Sequence, residues 1–210
     1  MARKIKLFYK KLFSEFGQQY WWPADSAFEV MIGAILTQNT SWSNVEKAIA
    51  NLKKNKLLSP KKLRALSRKR LAILIRPAGY FNLKAARISA FLDFIFKRYR
   101  GQISKMRAQK TSVLRDELLG VKGIGPETAD SMLLYALNKP VFVVDAYTKR
   151  ILLRHGLISD QYTYGQIQAM FMKNLKPSSK HFNEYHALLV KLGKEFCLKS
   201  RKKCMICPLR

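Results

Sequence analysis

Apolar residues recur along this chain mostly at helical spacing. Phe28, Met31, Ile32, Ile35 and Leu36 follow Ser26-Ala27-Phe28-Glu29, which has the capping-box form of a Ser with a Glu three residues later. Ser43 and Glu46 repeat that form beside Val45, Ala48, Ile49 and Leu52. Ile88, Phe91, Leu92, Ile95 and Tyr99 make a further stripe, and Phe182, Tyr185, Leu189, Leu192 and Phe196 another. Each reads as the core face of an amphipathic helix. The β-like signal is confined to Val141-Phe142-Val143-Val144. So short a run cannot make a sheet, and it predicts a buried, extended lead-in to the helix after it. There is no internal repeat and no Pro/Ser linker. The pattern therefore predicts an all-α chain, in which any second lobe must be woven from both ends or joined tightly.

Composition narrows the choice of partner. The 210 residues are 48% hydrophobic and 11% aromatic, too much for a disordered polycation. Lys and Arg number 40 against 13 Asp and Glu, a net charge of +27, which asks for a polyanion or an anionic membrane surface. Nine basic residues and no acid lie between Lys53 and Arg70. No apolar stretch approaches the roughly 18 residues needed to span a bilayer. Lys10, Lys11 and Glu15 interrupt any signal-peptide core in Met1–Phe16. All three cysteines lie in the last 14 residues, which argues for a reducing compartment or a metal-type cluster rather than a disulfide framework. A cytoplasmic location follows.

Chemistry concentrates in the run Leu118-Leu119-Gly120-Val121-Lys122-Gly123-Ile124-Gly125-Pro126-Glu127-Thr128-Ala129-Asp130. Gly123 and Gly125 allow a sharp turn and close approach of backbone to a partner. Pro126 suits the first turn of a helix, whose buried face would be Ala129, Met132, Leu133 and Ala136. The result is a helix, a glycine hairpin and a second helix, with amides placed to hold a phosphate. Downstream, Val143-Val144-Asp145-Ala146-Tyr147 sets a carboxylate at a helix start. His155, His181 and His186 show no metal-ligand spacing and read as ordinary helix residues.

Gly-Ile-Gly-x-x-Thr-Ala, with Val-Asp about twenty residues later, resembles the endonuclease III superfamily of DNA glycosylases, the helix-hairpin-helix-Gly/Pro-Asp family. The turn Leu36-Thr37-Gln38-Asn39-Thr40 and the spacing Cys197-x6-Cys204-x2-Cys207 extend the resemblance over most of the chain. It implies a two-lobed helical protein: a six-helix barrel over residues 22–137, and a second domain from 1–21 with 138–210. The family acts as a monomer on double-stranded DNA, without a membrane, and takes a damaged base flipped from the duplex into the cleft between lobes. By resemblance, Asp145 is the catalytic carboxylate. Lys122, Gly123 and Gly125 grip backbone phosphate, and Gln38 fills the space left by the flipped nucleotide.

Departures from the family pattern refine the expected chemistry. Members that also cut the strand use a Lys in the second hairpin helix to form a Schiff base with C1′. The matching position here is Glu127, which implies a hydrolytic, monofunctional enzyme. Trp21-Trp22-Pro23, with Trp42 after the Gln turn, is similar to the 3-methyladenine DNA glycosylase branch. On that resemblance Trp21 and Trp42 would sandwich an alkylated, cationic base, with Trp22 and Pro23 lining the wall. The family's iron–sulfur cluster has four thiolate ligands, and its spacing calls for one more Cys about six residues beyond Cys207. The sequence given stops at Arg210, so the expectation is no cofactor. A three-ligand site or a [4Fe-4S] cluster on Cys197, Cys204 and Cys207 is the alternative. The competing functions are a bifunctional glycosylase/lyase for oxidised pyrimidines and a non-catalytic DNA-binding protein.

Overall fold

The computed structural model describes residues 2–200 and 203–210. Its helices are α1 (Ala2–Phe16), α2 (Ala27–Leu36), α3 (Trp42–Lys54), α4 (Pro60–Arg64), α5 (Arg68–Leu74), α6 (Phe81–Tyr99), α7 (Ile103–Ala108), α8 (Thr111–Leu119), α9 (Pro126–Ser131), α10 (Ala146–Arg154), α11 (Tyr164–Asn174) and α12 (Ser179–Glu195). Short 3-10 turns cover Arg76–Ala78 and Cys204–Ile206, and α9 runs on into a π-helical turn over Met132–Ala136. The fold is all-helical, as the periodicity predicts. Val141–Val144 form no strand ladder and are buried. No helix among the described residues is long and apolar enough to cross a membrane.

Local chemistry explains most helix starts. The hydroxyls of Ser26, Ser59, Ser67, Thr163 and Ser178 each accept a backbone N–H in the first turn of the helix that follows. Thr163 and Gln166 complete a reciprocal capping box. The two boxes expected from the sequence form differently. Ser26 caps Glu29, but the Glu29 carboxylate accepts from the Asp25 N–H (3.1 Å) and pairs with Lys53 (2.7 Å). Helix α3 starts at Trp42, so Ser43 lies inside its first turn and the extended Ser41 occupies the cap position.

The chain divides into two compact units. One joins residues 1–23 to 138–210, and the other spans 24–137. Trp22 and Pro23 thus belong with the chain ends, two residues beyond the expected boundary, because regular structure of the second unit begins only at Ser26–Ala27.

In the first unit α1 and α10 each pack on α12. Ile5, Phe8 and Leu12 of α1 are buried, and the Tyr185 hydroxyl donates to the Ile5 carbonyl at 2.7 Å. Phe142 stacks on Phe171 with ring centroids 3.9 Å apart. In the second unit α2 is the central helix. Nine of its ten residues are buried, so it is covered all round rather than on one face. It touches α3, α6, α9 and the π turn.

Candidate functional site

Asp145 follows a buried, extended stretch of the first unit. Val141 to Val144 are each at most 5% exposed. The Phe142 carbonyl accepts from Gln168 Nε2 (2.7 Å), and the Val144 N–H donates to the Tyr164 hydroxyl (3.4 Å). The run ends with Asp145 as N-cap of α10, its Oδ1 accepting from the Thr148 N–H at 2.7 Å. A carboxylate there also faces the positive end of the helix dipole.

The second carboxylate oxygen faces a partner that sequence spacing did not single out. His186 Nε2 lies 3.6 Å from Asp145 Oδ2, with both side chains largely buried. Helix α12 can approach this closely because Gly193, two turns beyond His186 on the same face, has no side chain. A Cβ at Gly193 would stand 2.3 Å from Tyr147 Cδ1 of α10. Burial pushes the Asp145 pKa up, but the charge of His186 and the hydrogen bonds of His186 and Thr148 outweigh it. The net direction is below the ordinary carboxylate value. The group is held as an anion.

The hairpin lies in the second unit. Helix α8 ends at Gly120, the Ile124 N–H closes a turn on the Val121 carbonyl (3.0 Å), and Pro126 opens α9. Val121 and Ile124 are buried anchors, while Lys122, Gly123 and Gly125 are exposed. Gly123 has φ +88°, a conformation that favours glycine. Arg115 on α8 forks onto the buried Asp130 of α9 with contacts of 2.7 and 3.1 Å, tying the two helices together. Glu127 is exposed in the first turn of α9.

Gln38 is engaged with this hairpin. Its Nε2 donates to the Gly123 carbonyl (3.0 Å) and to Thr128 Oγ1 (2.9 Å), and its Oε1 accepts from Arg87. The aromatic candidates are distributed over both units. Trp21 and Trp22 are half-buried in the first, with ring centroids 5.1 Å apart and Lys194 Nζ 6.0 Å from the Trp21 ring centroid. Pro23 beside them is exposed. Trp42 is half-buried in the second unit, as the first residue of α3.

Cys197, Cys204 and Cys207 line one cavity of about 190 Å³ together with Arg154, His155 and Arg210. Arg154 donates to Cys197 Sγ (3.2 Å). Burial pushes the Cys207 thiol up, and the neighbouring cysteines add to the shift. Among the described residues no three Cys, His, Asp or Glu side chains converge at metal-binding distance.

The nine basic residues from Lys53 to Arg70 are all exposed, while Leu63 among them is buried. Lys53 is drawn onto Asp25 and Glu29, and Arg64 onto Asp93 and the face of Phe96. The run is thus a charged surface over α3 to α5.

Similarity to known proteins shows the family. The profile of the HhH-GPD superfamily base excision DNA repair proteins matches residues 32–177. A Methanocaldococcus jannaschii protein named "Putative DNA repair glycosylase MJ1434" is 48% identical over 203 residues, 96% of this chain and 92% of its own. Thermotoga maritima endonuclease III is 27% identical over 87% of this chain and 80% of its own. Among solved structures, H. pylori 3-methyladenine DNA glycosylase (MagIII) bound to 1,N6-ethenoadenine superposes with a TM-score of 0.77. It is 27% identical and covers 91% of this chain and 97% of that one. A non-covalent endonuclease III–DNA complex shares the fold, with a TM-score of 0.85 at 21% identity, covering 100% of this chain and 93% of that one. The chain belongs to the HhH-GPD superfamily of base excision DNA repair proteins and is a DNA glycosylase of that family.

Proposed function

We propose that this glycosylase is monofunctional and hydrolyses the N-glycosidic bond of alkylated purines such as 3-methyladenine in duplex DNA. The observation that carries the hydrolytic reading is the pairing of an anionic Asp145 with a carboxylate, Glu127, at the family's lyase position. As the bond breaks, the deoxyribose takes on oxocarbenium character. The Asp145 anion stabilises that charge and accepts a proton from the attacking water, which adds to C1′ as the base departs. A base alkylated at a ring nitrogen leaves as a neutral molecule, so no strong general acid is required. Glu127 has no amine with which to form an imine.

Two observations support the choice of base. Trp21 and Trp22 offer half-buried aromatic surface suited to a cationic base. The 27%-identical structural neighbour is itself a 3-methyladenine DNA glycosylase.

The test is a base-release assay on duplexes carrying 3-methyladenine, 7-methylguanine, ethenoadenine, uracil, thymine glycol or 8-oxoguanine. Free bases are identified by mass spectrometry, and strands are analysed with and without alkali. The expected result is fastest release of 3-methyladenine, with strand breaks only after alkali. Faster release of uracil or an oxidised base would overturn the substrate assignment. Borohydride trapping of a protein–DNA adduct would overturn the monofunctional assignment, and inertness toward every lesion would leave a DNA-binding role alone.

A further inference from the structure

Helix α6 carries a lysine in an unusual place. Lys84 is 1% exposed, although lysine is almost never fully buried unless paired. Its Nζ donates to the Leu36 carbonyl (2.7 Å), the Ala78 carbonyl (2.8 Å) and Thr40 Oγ1, so all three ammonium protons are used. Leu36 is the last residue of α2, and its carbonyl is one that a helix end leaves unpaired. Thr40 closes the Gln turn. One buried ammonium therefore ties down both ends of the segment that presents Gln38.

One turn along α6, Arg87 lies under the hairpin. Its Nη1 donates to Gln38 Oε1, and Nε is buried without a hydrogen-bond partner. A Cβ on Gly123 would stand 2.5 Å from Arg87 Cγ and 2.8 Å from Cδ, so the arginine stem fills the space a side chain would need. Gln38 completes the link by donating to the Gly123 carbonyl and to Thr128 at the start of α9. Both polar atoms of its amide are used inside the protein.

We propose that Lys84 and Arg87 are positioning residues for DNA binding, which lock the Gln38 turn and the glycine hairpin into one preorganised unit through the Gln38 amide. This rests on reading the hairpin as the grip on DNA backbone. It assigns Gln38 a duty in the free protein that a residue serving only to fill a gap in the duplex would not have. Holding the hairpin amides in place before DNA arrives removes an ordering cost from binding and leaves the chemical step alone.

The test measures Kd for an undamaged duplex and, separately, single-turnover base release at saturating damaged DNA. Arg87→Met keeps the stem beneath Gly123 and removes the bond to Gln38. It should raise Kd about tenfold, equivalent to about 1.4 kcal/mol. Base release at saturation by Arg87→Met should stay within about twofold. Adding Gln38→Ala should raise the Kd for undamaged duplex little further, because no nucleotide is flipped there and the two residues act as one link. Arg87→Lys, which retains a donor for Gln38, should recover most of the affinity. The slope of log Kd against log salt should match wild type, whereas a direct phosphate contact would lower it by about 1. An unchanged Kd, additive losses or a lowered slope would each overturn the proposal. Because Lys84→Met strips three acceptors of their donor and can unfold the chain, the Arg87 and Gln38 variants decide the matter. Wild-type protein that releases no base but shows the coupled Kd effect would sustain this proposal while removing the glycosylase mechanism.

Discussion

Replacing His186 by Asn tests how Asp145 is kept charged. The amide is polar but carries no charge and does not extend to the position of Nε2. In the wild type His186 Nε2, 3.6 Å from the carboxylate, acts with the Thr148 hydrogen bonds against the upward push of burial, and together they prevail. An opposite charge at such a distance lowers a carboxyl pKa by about 1–3 units, and each unit is worth about 1.4 kcal/mol. A carboxyl whose folded-state pKa is depressed contributes stability that is present above its ordinary value of 3.8 and is lost as pH falls through the depressed value. Activity should follow the same proton. Single-turnover base release by the wild type should hold down to the ordinary carboxylate range and fall only below it. In His186→Asn, burial is opposed by the Thr148 hydrogen bonds alone, and the acid limb should move toward neutrality by about 1–3 pH units. Above both limbs the variant should keep a rate within a few-fold of wild type, because the carboxylate is then ionised in each. Asp145→Asn should lose activity by about a hundredfold or more at every pH. The assay is a rate–pH profile with circular dichroism at each pH to confirm folding. Coincident acid limbs for wild type and His186→Asn would refute the role given to His186.

Three further outcomes follow from the packing. Glu127→Lys places an amine where lyases of the family carry theirs, so it should yield a borohydride-trapped adduct on damaged DNA that the wild type does not give. Gly193→Ala drives a methyl group into the Tyr147 ring and should lower stability by about 1–3 kcal/mol in urea titration, with base release falling as α12 is pushed from α10. Asp130→Asn strips Arg115 of its buried anion and should cost about 3 kcal/mol by the same titration.

Much of the fold was legible because helices with one buried face announce themselves by period. The stripes of α6 and α12 were found where they lie, and Val141–Val144 form the expected buried lead-in. Helix α1 was harder to read, because its buried Ile5, Phe8 and Leu12 are set among basic residues. The short α4, α5 and α7 carry too few turns to show a period. Glu29 broke the expected capping box because a second partner, Lys53, competes for its carboxylate. At the candidate site the split is sharper. Asp145 and the hairpin were legible because each is a local motif whose geometry its own neighbours dictate. His186, Lys84 and Arg87 were not, because each matters only for what another segment brings to it.

That difference gives the positive charge a finer meaning. A chain with 40 bases and 13 acids has few anions to spare. Several of them tie one helix to another: Glu29 to Lys53 across α2 and α3, Glu117 to Arg98 and Tyr99 across α8 and α6, Asp130 to Arg115 within the hairpin. Asp25 and Glu29 offset Lys53, and Asp93 offsets Arg64, while the other basic residues of that run leave an exposed basic surface along α3 to α5. That surface remains available for a salt-sensitive hold on the phosphate backbone. Two buried basic side chains, Lys84 and His186, do the opposite. Each is turned inward, one onto carbonyl and hydroxyl oxygens and the other onto a carboxylate, and each organises a group assigned to DNA or to the sugar. Removing a surface lysine should therefore change the salt slope and little else, whereas removing either inward side chain should change what its partner does at constant slope.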